Sequence, residues 1–288
     1  MQKIFPHRSK FAEGVQPRPG WSLDYRDPKF IERWLLLWGW LYRYYFRVQT
    51  SGWQHIPQGQ KVLLVGSHNG GLASPDTVMM MYDWFKRFGT ERPVYGLMHP
   101  YAWQVNAELS KVAAQMGAIE AHPKMAIAAL QQGASVLVYP GGARDLFRPH
   151  SLRHQICLAD NYAFIKLALR EQVLIVPVIS KGAHDTLVVL ADIYPLIWQL
   201  RDWGLLPWIK DVDPEVFPIY LGLPWGLSVG PLPNIPLPVA MHTRICAPIV
   251  FERYGLEAAR DRAYVKVCYE RVRLHMQQAL DQLVAETG

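Results

Sequence analysis

From residue 61 onward the apolar residues follow two rhythms that alternate. Short unbroken runs, "KVLLVG", "PVYGLM", "ASVLVYPGG" and "VLIVPVIS", are rich in Val, Ile and Leu and bounded by Gly, Pro or charged residues. Runs of that length read as strands. Between them, "SPDTVMMMYDWFKRFG", "NAELSKVAAQMG", "PKMAIAALQQG" and "SLRHQICLADNYAFIKLALREQ" space their apolar residues as helices do. The second and third close on a glycine, a common helix stop. Strand–helix–strand alternation predicts an α/β fold, a single domain with a largely parallel central sheet flanked by helices. "HTRICAPIVF" predicts a last strand, and residues 255–285 a closing amphipathic helix.

Two regions break the rhythm. Residues 1–27 are polar and punctuated by Pro and Gly, and read as an arm. After them "DPKFIERWLLLWGWLYRYYFRV" predicts an N-terminal amphipathic aromatic helix over 28–50, ahead of a main domain over 51–288. At helical spacing Lys29, Glu32, Arg33, Leu36, Trp40, Arg43 and Arg47 form one stripe, charged at both ends. Its uncharged centre, Trp34 to Tyr42, is too short to span a bilayer. Such a helix can lie in a membrane interface, rings at headgroup depth and arginines on phosphates. It can equally be buried on the domain, with its arginine stems reaching out to water. Trp34, Trp38, Trp40, Arg43 and Arg47 are the docking candidates under the first reading. Between 193 and 240, Pro, Trp and Leu dominate. Long regular elements are not expected there, and the stretch reads as a second interfacial surface or the wall of an apolar pocket.

Composition narrows the class of partner. Half of the 288 residues are hydrophobic, 19% are charged, and the net charge is +6. A basic chain suits an anionic partner: nucleic acid, a phosphorylated ligand or an acidic membrane surface. Nucleic acid is disfavoured, because the aromatics sit in apolar runs instead of among basic residues. Cys157, Cys246 and Cys268 are far apart, which gives no zinc framework and no disulfide scaffold, and fits a reducing compartment. The N-terminus lacks a signal-peptide core, and no apolar run has the length of a spanning helix. A soluble or peripheral protein is expected.

In parallel sheets, ligands bind where the strands end. Three strand-end loops carry chemistry. "GSHNGGLASPD" holds His68 where a strand ends and Asp76 in the first turn of a helix, with Ser74 as N-cap and Pro75 next. Its glycines let the chain fold back so that imidazole and carboxylate meet, and also read as room for a substrate beside the ring. A His–Asp pair fixes the tautomer and supports proton abstraction; Asp76 alone can simply favour a helix N-terminus. "YPGGARDLFRP" offers the Gly141 and Gly142 backbone to an anion or oxyanion, and Arg144 as a bidentate grip. An ordinary turn with solvated charges has the same sequence. "SKGAHD" brings Ser180, Lys181, His184 and Asp185 together, but Ser180 does not stand in a G-x-S-x-G elbow, and the chain has no phosphate-binding G-x-x-x-x-G-K-[ST] loop.

Taken in order over about residues 30–255, these blocks resemble the lysophospholipid and glycerol acyltransferase superfamily. "SHNGGLASPD" is similar to its histidine–aspartate block, expanded by glycines so that seven residues separate the pair where four are common. "MGAIEAHPKMAIAALQQG" resembles the second block, "YPGGARD" the Phe-Pro-Glu-Gly-Thr-Arg block with Pro140, Gly142 and Arg144 kept, and "VLIVPVIS" the fourth. Gly141 in place of glutamate, after Tyr139, resembles the diacylglycerol acyltransferase branch. The resemblance implies an O-acyltransferase that uses acyl-CoA or acyl-carrier protein as co-substrate and no cofactor or metal. The acceptor would be a lysophospholipid, a diacylglycerol or a long-chain alcohol. It implies His68 and Asp76 as the catalytic pair, and Gly141, Gly142 and Arg144 as substrate-binding residues. It also implies a peripheral protein on the cytoplasmic face of a membrane, with membrane lipids and the thioester donor as partners. A non-catalytic lipid-binding protein and a lipid hydrolase are the alternatives.

Overall fold

The structure, a computed structural model, describes residues 18–205 and 215–287. The described residues form ten strands. β1 is Gln49–Ser51, β2 Val62–Gly66, β3 Val94–Met98, β4 Ala118–Glu120 and β5 Ser135–Val138. β6 is Leu174–Lys181, β7 Val188–Asp192, β8 Pro218–Gly222, β9 Gly226–Val229 and β10 His242–Ile245. Seven of them build the central sheet in the order β1-β10-β6-β2-β5-β3-β4. β2 to β6 run parallel to one another, while β10 is antiparallel to β6 and carries β1 at the edge.

β2, at the centre, shows why its sequence is unbroken Val and Leu. All five of its residues are buried, because the sheet is covered on both faces. Val62 and Leu64 pack with α1 (Pro28–Trp40) and α2 (Pro75–Phe88), around Ile31, Trp38, Met80, Trp84 and Phe85. Leu63 and Val65 pack on the opposite side, against helices Pro123–Gln131, Ala163–Glu171 and Arg262–Thr287. The expected α/β architecture, a mostly parallel sheet between helical layers, is what the chain forms.

Departures from the sequence reading have local causes. The helix expected over 151–172 is regular only over Ala163–Glu171. Ahead of it Ala159 and Asp160 take positive φ, Asn161 Oδ1 caps the Ala163 N–H at 3.0 Å, and Gln277 holds the Ile156 N–H and the His154 carbonyl. Within 193–240, where long regular elements are not expected, the described residues form a helix Tyr194–Asp202 and the strands β8 and β9, which join β7 in a small antiparallel sheet. Residues 206–214 of the Trp/Pro-rich stretch and 1–17 of the N-terminal arm lie outside the described residues. The described end of the arm is tied down: Arg18 pairs with Glu120 at 3.0 Å.

The aromatic helix starts as read, with Asp27 accepting from the Lys29 and Phe30 N–H groups and Pro28 in the first turn. It does not run to residue 50. A widened turn over Leu41–Tyr45 ends it, Arg47 takes a φ of +44°, and Gln49–Ser51 joins the central sheet as β1. The stripe from Lys29 to Arg47 faces solvent along its whole length. Trp38 does not: it is buried with Ile31 in the core cluster under α2, which leaves it little surface for a membrane to touch. Trp34 is half-buried, while Leu36, Trp40 and Tyr44 are exposed. Among the described residues no helix is long and apolar enough to cross a membrane.

Candidate active site

β2 ends at Gly66, and a side chain there would lie 2.4 Å from the Tyr139 ring. The missing Cβ lets Tyr139, just past β5, stack on His68 with ring centroids 4.2 Å apart. From His68 the chain turns through Gly70 (φ +86°) and Gly71 (φ +66°) and enters α2 at Ser74. This turn brings His68 Nδ1 to 3.1 Å from Asp76 Oδ2. The expected meeting across the longer spacing therefore occurs. The other reading of the glycines does not hold. A Cβ on Gly70 would strike Pro75 and Thr186 at 2.6 Å, and one on Gly71 would strike Leu187 and Asn234. Protein atoms fill that space, so the glycines serve the fold-back and give no room for substrate.

Asp76 is held from several sides. Oδ2 also accepts from the Asn69 N–H at 2.8 Å, and Oδ1 accepts from the Thr77 N–H at 2.7 Å. A carboxylate only accepts, so His68 Nδ1 is the donor in this contact, and in the neutral tautomer it selects Nε2 carries the lone pair. The His68 side chain retains 16% of its exposure, against 4% for Asp76. The ring is thus reachable while its orienting partner is closed off from water. Burial, with the Asp76 carboxylate adding to it, pushes the Tyr139 phenol well above its ordinary range, so the ring against His68 stays neutral.

The loop bearing His68 is clamped from below by Asp145 and Arg148. Asp145 is fully buried, accepts from the His68 N–H and from Ser67 Oγ, and lies 2.5 Å from Arg148 Nη1. Arg148, buried too, donates to the His68 carbonyl at 3.0 Å and to Asn69 Oδ1 at 2.7 Å. Burial pushes the Asp145 carboxyl up to about 6, opposed by the Arg148 charge and the His68 N–H. In sequence this pair looks like a solvated charge pair three residues apart. Its only earlier signal was its position in the block after Pro140.

The remaining candidates fall elsewhere. A side chain on Gly141 would meet the Cys157 carbonyl at 2.1 Å, which accounts for glycine there by packing alone. Gly142 has a φ of +54°, and its N–H donates to the Tyr139 carbonyl at 3.2 Å. As an oxyanion donor it is therefore committed. Arg144 is exposed, with no hydrogen bond or ion pair among the described residues. The "SKGAHD" residues form no triad. Ser180 Oγ is buried without a partner, His184 Nε2 donates to the Arg148 carbonyl at 2.8 Å, and Asp185 pairs with His150 at 2.8 Å. Burial and the Arg148 charge push His184 down to about 3.

No protein-family model matches the chain. Uncharacterized proteins of Mycobacterium tuberculosis (strain ATCC 25618 / H37Rv) and Mycobacterium bovis are 27% identical to it over 244 residues. That stretch is 85% of this chain and 63% of theirs. A Mycobacterium leprae protein is 25% identical over 244 residues, 62% of its length. The chain thus spans just under two thirds of the length of these curated relatives. Among solved structures it is similar to the crystal structure of the 1-acyl-sn-glycerophosphate (LPA) acyltransferase PlsC from Thermotoga maritima. The identity is 14%, the TM-score 0.48, and the coverage 89% of this chain and 79% of that one.

Proposed function

We propose that this chain is an O-acyltransferase that moves a fatty acyl group from a thioester donor to the hydroxyl of a lipid acceptor. The observation that carries the reading is the His68–Asp76 pair: Nδ1 on the carboxylate at 3.1 Å, with Nε2 left as the basic nitrogen at the end of a parallel strand. The order of the sequence blocks supports the same chemistry. His68 Nε2 takes the proton of the acceptor hydroxyl as its oxygen attacks the thioester carbonyl. The tetrahedral intermediate collapses, the C–S bond breaks, and the leaving thiolate takes the proton back from the imidazolium. Asp76 stabilises the imidazolium and holds the tautomer. Arg144, exposed and without a partner among the described residues, is the proposed contact for a phosphate of the donor or the acceptor.

Direct transfer is favoured over a covalent route because the neighbouring Ser67 hydroxyl is buried and donates to Asp145. It offers the imidazole no nucleophile. We further propose peripheral association with the cytoplasmic face of a membrane through exposed Leu36, Trp40 and Tyr44. An acyl chain resists transfer to water by about 0.8 kcal/mol per CH₂, so its acceptor stays in the bilayer. Of the acceptor classes, Gly141 and Tyr139 favour a neutral lipid alcohol such as diacylglycerol over a lysophospholipid, on the resemblance alone.

The test is an acceptor screen with labelled palmitoyl-CoA against lysophosphatidate, other lysophospholipids, diacylglycerol and a long-chain alcohol, products read by mass spectrometry. His68→Ala is expected to lower ester formation by about 10²–10⁴-fold. Esterification at the wild-type rate would remove His68 from the mechanism. Free fatty acid as the main product, with or without an alcohol, would make the protein a hydrolase.

A further inference from the structure

α1 and α2 do not close on each other completely. Between them lies a cavity of about 440 Å³ whose walls carry Arg43, Arg47, Lys86 and Arg87 against one carboxylate, Asp83. Tyr82, Asp83, Lys86 and Arg87 share a face of α2 at three- and four-residue spacing. Gly39, Arg43 and Arg47 approach from the aromatic helix and the turn after it. Gly39 admits the close approach, since a Cβ there would lie 2.9 Å from the Tyr82 hydroxyl.

Asp83 does not neutralise this excess. It is buried and already accepts from Tyr42 Oη at 3.2 Å, Thr50 Oγ1 at 2.6 Å and Arg87 Nε at 3.0 Å. Arg47 is held in place by the Tyr45 and Pro238 carbonyls. Arg43 and Lys86 are exposed and make no hydrogen bond or ion pair among the described residues. Lys86 and Arg87 in the last turn of α2 suit its dipole. The dipole gives no reason for Arg43 and Arg47, from another element, to converge on the same space. Like charges gathered around a cavity repel, and a bound anion relieves that repulsion.

The sequence stripe says which anion. Along it, exposed Leu36 and Trp40 lead directly into Arg43 and Arg47. We infer that this cavity is a binding site for the phosphate of an anionic membrane lipid, whose glycerol and acyl region lies against Leu36, Trp40 and Tyr44. The inference rests on the proposed docking of this helix at a membrane and adds a seat for one headgroup, apart from His68. A free phosphate ion would use the cations and leave the apolar rim unused.

The test uses the full chain and sedimentation with vesicles of phosphatidylcholine alone or mixed with phosphatidate. Each cation near an anionic surface contributes about 1 kcal/mol, roughly a fivefold change in affinity. Arg43→Gln with Lys86→Gln is expected to lower binding to phosphatidate vesicles at least tenfold more than Lys29→Gln with Arg33→Gln. That second pair is an equal charge loss on the same stripe outside the cavity, and its loss is the surface amount of about 25-fold. Equal losses for the two pairs would overturn the site in favour of diffuse surface charge. Displacement by inorganic phosphate at the concentration of accessible lipid phosphate would overturn the lipid assignment. Leu36→Ser with Trp40→Ser separates the two levels. If that variant binds both vesicles as the wild type does, the docking reading fails; if it releases both while the Arg43/Lys86 pair matches its control, only the headgroup site fails.

Discussion

At the scale of single residues, the groups around His68 are arranged so that charge is confined to a few places. Arg148 faces one buried carboxylate, and removing one partner of such a pair strands the other charge in the interior. Asp145→Asn or Arg148→Met is therefore expected to cost about 3–5 kcal/mol in urea unfolding. The double variant should cost less than the sum, because the two share one interaction; additive costs would show that they act separately. His184 makes a pH prediction with a definite sign. Its folded pKa of about 3 lies below the ordinary 6.5, so its stabilising contribution is present above pH 6.5 and is lost as pH falls toward 3. Asp145 works in the opposite sense: its folded pKa of about 6 lies above the ordinary 3.8, so it favours the fold below 3.8 and loses that contribution as pH rises through 6. His184→Asn removes the first effect alone. Between pH 6.5 and pH 5 the wild type should lose about 2 kcal/mol relative to that variant. Parallel pH profiles for the two proteins would mean that the imidazole is not kept neutral by burial. His68 and Asp76 were legible in the sequence because they flank a strand end and a helix start. Asp145 and Arg148 were not, because charge spacing along a chain does not report which charges the fold will bury.

At the scale of elements, local geometry decides what each helix and loop can present. The turn from His68 to α2 depends on glycine at two positive-φ positions already packed against Pro75, Thr186 and Leu187. Gly70→Ala should separate His68 from Asp76 and lower both stability, by about 1–3 kcal/mol, and the proposed esterification. Wild-type activity in that variant would show that the turn has slack the packing does not suggest. The aromatic helix gives a paired prediction. Trp38→Ala empties a core position and should cost about 3–5 kcal/mol, read by chemical unfolding. Leu36→Ser with Trp40→Ser changes only exposed positions, and should weaken vesicle binding while leaving unfolding nearly unchanged. Helical period identified the outer stripe correctly from Lys29 to Arg47. It set Trp40 on that stripe but could not separate Trp38 from Trp34, because both lie off the stripe and are apolar, and only the neighbouring α2 decides which ring is covered. Nor could period end the helix, since the aromatic run continues through the widened turn at Leu41–Tyr45.

At the scale of the whole molecule, β2 organises what was legible and what was not. Its unbroken Val and Leu predicted a strand and the alternation around it a sheet flanked by helices, and the sheet order puts it at the centre with the His68 loop at its carboxyl end. The division of the chain at residue 50 was suggested by the change from aromatic to alternating pattern, and packing crosses that line. Ile31 is fully buried and Trp38 nearly so, in one cluster with Val62, Leu64, Met80 and Trp84. β1, at the end of the same segment, pairs with β10 through Gln49, Thr50 and Ser51, and Thr50 donates to Asp83. Removing residues 1–47 would uncover the α2 face of the sheet as well as delete the proposed docking helix. Burying Ile31 and Trp38 contributes about 1.5–3 kcal/mol each, before the neighbours they cover are counted. A domain has about 5–15 kcal/mol in all, so this is a large fraction of its stability. The truncated chain is expected to lose cooperative unfolding and the proposed ester formation together, even with a water-soluble acceptor that needs no membrane. A truncated chain that unfolds cooperatively at the wild-type urea midpoint would show that α1 is a detachable docking element. The outcome separates a helix that finishes the core from one that only docks the protein on a membrane, and the burial of Trp38 favours the first.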